Sequence, residues 1–109
     1  KSVYFGSDSG YGAHYQELGQ WLGGVDVALL GVGAYKPEWF MSASHMGPKD
    51  AVKSAHELNA KRFIPMHYGT FDLSDEPLGD PYRVLQELQK KPENQGFIQL
   101  AGVGEVVRL

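Results

Sequence analysis

Cysteine is absent from this chain, and that one absence removes two classes of site. Neither a disulfide nor a thiolate metal centre can form, so any metal must be held by His, Asp or Glu. Long apolar runs are missing too: none approaches the roughly 20 residues of a membrane-spanning helix. A basic stretch followed by an apolar one is also lacking, so no signal peptide is visible and a cytoplasmic location is expected. There is no excess of basic charge. The net charge of −3 offers no electrostatic reason for a nucleic acid or an anionic membrane as partner. Internal repeats, low-complexity tracts and linkers are likewise not evident.

What remains is an ordinary globular composition. Apolar residues make up 42% and charged residues 21% of 109 positions, enough for one domain over residues 1–109 and no more. Lys1 opens in strand-like sequence with no initiator Met, as a piece of a longer polypeptide or a trimmed one would.

Apolar periodicity predicts five strands and three helices, mostly alternating. Ser2–Phe5 is a short strand rich in residues that favour one. After the glycine-rich loop Gly6–Gly12, Tyr15, Leu18 and Leu22 recur at helical spacing until Gly23-Gly24 stops them. Val25–Leu30 reads as a buried strand, broken by Gly31, Gly33 and Pro37. Pro48 suits a first helical position, and Ala51, Val52, Ala55 and Leu58 form one apolar stripe, predicting a helix over 48–60. Arg62–Met66 is a third strand. Asp80-Pro81 opens a third helix, which ends before Pro92. Phe97–Ala101 and Glu105–Leu109, joined by Gly102-Val103-Gly104, read as a closing hairpin. This order describes an α/β layer with a mixed, partly parallel sheet, helices on one face and a C-terminal hairpin.

Ligands of such sheets bind beyond the carboxyl ends of the strands. Asp8 follows the first strand, the Gly31–Tyr35 loop the second and His67 the third. Parallel neighbouring strands would bring Asp8 and His67 to one rim. Each residue also has a plainer reading. Asp8, between Ser7 and Ser9, suits an Asx-turn as well as a cation site. His67 can pack as well as ligate. His45, in the loop "SASHMGP", is either a hydrogen-bonding turn residue or a general acid or oxyanion donor aimed at the same rim. His56 reads as a solvated helix side chain, and His14 is assigned no role. Tyr11, Tyr35 and Trp39 read as core or rim packing. "GYG" lacks the lysine and hydroxyl residue of a phosphate-binding loop.

Taken together, "YFGSDSGYG" and "GAYKPEWFMSASHMGPKDAVKSAHELNAKRFIPMHYGTFDLSDEPLGDP" resemble the C-terminal half of a metallo-β-lactamase-fold hydrolase. They are most similar to N-acyl-phosphatidylethanolamine-hydrolysing phospholipase D and its bacterial relatives. The W-F-M…H-M-x-P and P-M-H-x-G-T-F…S-D-E-P segments are the specific ones. Ser7 stands where that family usually has glycine. The resemblance implies one αβ half of a four-layer αββα fold. It also implies two zinc ions in the complete enzyme, with Asp8 as bridging carboxylate, His67 as a terminal ligand and His45 as the substrate-orienting or charge-stabilising catalytic residue. Such a pair of metals stands about 3.5–4 Å apart and shares a hydroxide nucleophile. The implied substrates are phosphodiesters or related esters, small or lipid-like.

The His-x-His-x-Asp-His motif of the family's first half is not in this chain. Two ligands cannot complete two zinc sites, each needing about three or four protein donors. The expectation is therefore half of a hydrolase, inactive alone. Its partner would be the N-terminal half, or another copy meeting it through an exposed apolar sheet face. Two alternatives stay open: a lactonase-type hydrolase on the same fold, and a non-catalytic α/β module that retains the rim residues.

Overall fold

A computed structural model describes all residues, 1–109. The elements run β1 (Val3–Phe5), α1 (His14–Leu22), β2 (Val25–Gly31), α2 (Glu38–Met41), α3 (Pro48–Glu57), β3 (Ala60–Met66) and α4 (Asp80–Gln89), followed by a single 3-10 turn at Pro92–Asn94. The three strands form one sheet in the order β1-β2-β3, and both pairings are parallel. This is the expected α/β layer.

Register divides the sheet residues between two faces. Tyr4 pairs with Ala28 and Ala28 with Phe63, and this row faces the helices. Phe63, Ala28 and Leu30 are fully buried, in a core shared with Tyr15, Ala51, Ala55, Leu58 and Leu85. Helix α3 is central to it, packing on β2 and β3 while touching α1 and α4 at its flanks. Its stripe of Ala51, Val52 and Ala55 is what lets α3 lie close to the sheet. The alternate row runs Phe5, Leu29 and Ile64, with Val3 one pair back. Phe5 is 63% exposed and Val3 48%, while Leu29 and Ile64 are half-buried and Val27 is buried, so the second face is largely apolar and open at its β1 edge.

The chain ends differ from expectation. No hairpin forms over 97–109, and the sheet is parallel throughout instead of mixed. Ile98 makes an isolated parallel bridge to Phe63, with Phe63 N–H donating to Phe97 O at 2.9 Å and Gln99 N–H to Phe63 O at 2.8 Å. The return from α4 brings this segment in as a rudimentary parallel neighbour of β3. The Gly102–Glu105 turn does close, with Glu105 N–H on Gly102 O at 3.0 Å and the Glu105 carboxylate on Gly102 N–H at 2.8 Å. Beyond it residues 105–109 have no strand beside them, and Val106 is 82% exposed. Turn chemistry alone does not make a ladder.

Two smaller differences have local causes. α3 ends at Glu57, short of residue 60, because Asn59 takes a left-handed backbone (φ 52°), a conformation asparagine tolerates at a helix end. Residues 60 and 61 then join β3. α2 was not expected, since four residues carry too little periodicity to read.

Candidate metal centre

Parallel pairing places the carboxyl ends of β1, β2 and β3 on one rim. The ladder runs past the strand ends: Gly6 N–H donates to Leu29 O at 2.8 Å and Val32 N–H to Met66 O at 3.0 Å. The next residue or two of each flanking strand turn sharply. Ser7 has φ 52° and His67 φ 62°, both in the left-handed region that L-residues enter at a cost of about 1–2 kcal/mol. These kinks aim Asp8 and His67 across the rim instead of along the strands.

His67 Nε2 lies 3.5 Å from Asp8 Oδ1. The His45 imidazole stacks on that of His67, with ring centroids 5.3 Å apart and planes 16° from parallel. One ligand atom from each of Asp8, His45 and His67 lies within 4.8 Å of the other two. Asp8 and His67 are exposed and His45 half-buried, so the cluster opens to solvent. All three residues singled out in the sequence therefore meet. His14 stacks instead on Tyr15 (4.1 Å). His56 stacks on Phe97 (4.0 Å) and bonds Asn94 Oδ1 at 2.8 Å, a structural role.

The donor set fits zinc. Carboxylate and imidazole are its ligands where thiolates are lacking, and at bond lengths of about 2.0–2.1 Å two donors on a tetrahedral ion stand about 3.4 Å apart. The Asp8–His67 separation of 3.5 Å needs almost no adjustment. Three donors leave further coordination positions to groups outside this cluster.

Three loops are held together without help from the donors themselves. The buried Tyr15 hydroxyl donates to Ser9 Oγ at 2.7 Å, anchoring the Asp8 loop to α1. Gly10 lets that loop press on the turn before His45: a Cβ at position 10 would stand 2.2 Å from Ser42 O. Gly33 does the same against the third loop, where a Cβ would stand 2.2 Å from His67 O. Beyond them Glu76, which drew no separate notice in the sequence, is buried and accepts from the N–H groups of Tyr35 (2.9 Å) and Lys36 (3.2 Å). Only its place inside the S-D-E-P segment marks it, since an isolated loop glutamate is normally solvated. Tyr35, whose hydroxyl donates to Asp80, is buried; burial and then the Asp80 carboxylate push its pKa up.

A cavity of about 280 Å³ opens beside His67, walled by Tyr68, Phe71, Leu73, Leu78 and Glu76. Its lining mixes these apolar side chains with Thr70, Asp72 and Ser74.

Comparisons with known proteins bear on the family and the fold. A family model described as beta-lactamase superfamily domain matches residues 1–68. The chain is 33% identical over 96 residues to N-acyl-phosphatidylethanolamine-hydrolyzing phospholipase D 1 of Caenorhabditis elegans, covering 86% of this chain and 27% of that protein. It is 36% identical over 89 residues to a UPF0173 metal-dependent hydrolase of Bacillus cereus, covering 82% and 34%. The structure of Igni18, a metallo hydrolase of the archaeon Ignicoccus hospitalis, superposes with a TM-score of 0.61 at 26% identity, over 92% of this chain and 37% of that one. The chain thus spans between 27% and 37% of the length of these three proteins.

Proposed function

This chain belongs to the beta-lactamase superfamily domain family, and on that premise we propose that it supplies one rim of a zinc-dependent hydrolase site for phosphodiesters or related esters. The observation that carries the reading is the meeting of Asp8, His45 and His67 within 4.8 Å. Asp8 and His67 would hold the metal, and His45 would donate a hydrogen bond to the oxygen on which negative charge develops. Zinc, when bound, supplies Lewis acidity and lowers the pKa of water to about 7. The metal-dependent and metallo hydrolase names of two relatives support a metal, and the phospholipase D name of another supports a phosphodiester.

The cavity beside His67, where Tyr68, Phe71, Leu73 and Leu78 supply apolar wall, suits a hydrophobic substituent of the substrate, small or lipid-like, next to the scissile bond. The exposed Val3 and Phe5, with the half-buried Leu29 and Ile64 beside them, suit contact with the other half of the fold, which would bring the remaining ligands.

The test uses the full-length protein. Expected are stoichiometric zinc and hydrolysis of bis(p-nitrophenyl) phosphate, with both lost in Asp8→Ala and His67→Ala. A wild type that binds no metal, or variants that keep full metal and rate, would overturn the reading in favour of a non-catalytic module. Turnover of a lactone with none of the diester would keep the site and move the substrate.

A further inference from the structure

Glu76 is 5% exposed, and a buried carboxylate persists only where hydrogen bonds replace its water. Its partners are two successive backbone N–H groups, Tyr35 at 2.9 Å and Lys36 at 3.2 Å. Contact is reciprocal: Asp75 N–H donates to Lys36 O at 3.1 Å. A second tie lies alongside, where the Tyr35 hydroxyl meets Asp80 and Arg83 Nη2 reaches Asp80 at 2.7 Å. The two segments so joined are not neutral connections. Residues 32–37 lead through α2 to His45, and Gly33 packs directly on His67 O. Residues 67–79 leave His67 for α4 and wall the cavity beside it.

We propose that Glu76 is a positioning residue whose carboxylate latches the loop leading to His45 onto the loop leaving His67, and so sets how the two imidazoles stack. Stiffness is the reason for a carboxylate here. Two oxygens each take one N–H, so two consecutive peptide planes are oriented together. Glutamine has nearly the same shape but only one acceptor oxygen, and its amide would turn a donor toward a donor. Aspartate keeps the charge and withdraws both oxygens by one methylene. Neither substitution touches the metal donors, so any effect on them travels through the backbone of the two loops that Glu76 joins.

This inference rests on the reading of His45 and His67 as site residues, and its test separates the two. In the full-length protein, E76Q is expected to lower kcat/KM for bis(p-nitrophenyl) phosphate roughly 10- to 100-fold, the range for groups that orient a metal site's side chains. In a His45→Ala background the same substitution is expected to cost several-fold less in kcat/KM, because residues acting through one another are not additive. In metal-free protein the nuclear Overhauser contact between the His45 and His67 ring protons is expected to weaken in E76Q while the remaining spectrum stays folded. Equal losses in both backgrounds, or an unchanged ring contact, would overturn the latch. Should E76Q not fold, E76D gives the same readings at smaller size, and wild-type behaviour there would overturn the latch equally. If the wild type does not hydrolyse the diester, the hydrolase reading falls, while the ring contact still decides the latch.

Discussion

His45 and His67 stack face to face, centroids 5.3 Å apart, with His67 Nε2 3.5 Å from Asp8 Oδ1 and a donor of each of the three within 4.8 Å of the others. The proposed function gives the two rings different tasks. His67→Ala is expected to remove bound zinc and lower the rate at least 100-fold or so. His45→Ala is expected to keep zinc while losing about 10²–10³ in kcat, as when a single donor to a developing anion is removed. Elemental analysis beside steady-state kinetics checks this. Zinc lost from His45→Ala would make His45 a ligand, which its place among the donors permits.

Ser7 sets up a second prediction. Its φ of 52° is a conformation glycine enters freely and serine does not. Glycine, which the resemblance leads one to expect at this position, would be free of that cost, and the serine carries local strain in order to aim Asp8. Ser7→Gly is expected to raise stability by about 0.5–1 kcal/mol, since relief of strain exceeds the entropy glycine adds to the unfolded chain. Ser7→Val, branched at Cβ, is expected to lower it by more. Denaturant midpoints of the two variants settle the sign, and a destabilised Ser7→Gly would show the backbone is not strained there.

The rim was legible for a physical reason. Parallel α/β order fixes which strand ends are neighbours, so Asp8 and His67 could be brought together from element order alone, and the structure does bring them together. His45 was harder, because its loop begins from β2 by way of α2, an element too short to show periodicity; its place came from the resembled motif. The C-terminal run failed on the same logic. Phe97–Ala101 has strand composition, but composition says nothing of direction, and its approach from α4 makes it parallel to β3. Glu76 was invisible because burial of a loop carboxylate depends on two N–H groups about forty positions away. No local pattern encodes such a partner.

Close backbone approach yields a paired prediction. At Gly33 and Gly19 alike an added Cβ would stand 2.2 Å from a carbonyl oxygen, of His67 in one case and of Glu57 in the other. Both alanine variants are expected to lose about 1–3 kcal/mol, the usual cost of overpacking. Their effects on the site should diverge. Gly19 joins α1 to the end of α3, far along the chain fold from the rim, and Gly19→Ala is expected to keep its zinc. Gly33→Ala must move His67 or the 32–37 loop, and is expected to bind zinc at least 10-fold more weakly. Isothermal titration with Zn²⁺ after refolding distinguishes them; equal affinities would mean the loops give way without moving the ligand.

The Glu76 latch has a pH signature of definite sign. Burial pushes this carboxyl's pKa up, but the Tyr35 N–H and the other donors around it pull harder, and the balance lies below the ordinary glutamate value. A folded pKa below the unfolded one means the unfolded chain binds more protons, so the group's contribution is present above about 4.5 and is lost as pH falls through the folded value. Asp80 carries the same sign, held low first by the Tyr35 hydroxyl and then by Arg83, and both variants retain it. The difference between wild type and E76Q therefore isolates Glu76. At pH 7 E76Q is expected to be less stable by about 1–3 kcal/mol, the cost of leaving a buried donor without its acceptor. That gap should narrow as the pH is taken from 5 to 3, because the glutamate of the unfolded chain takes up its proton over that range while the folded carboxyl, held lower, does not follow at once. Thermal unfolding across that range measures the gap directly. A difference that stays constant to pH 3 would mean the carboxylate is not what holds the two loops together.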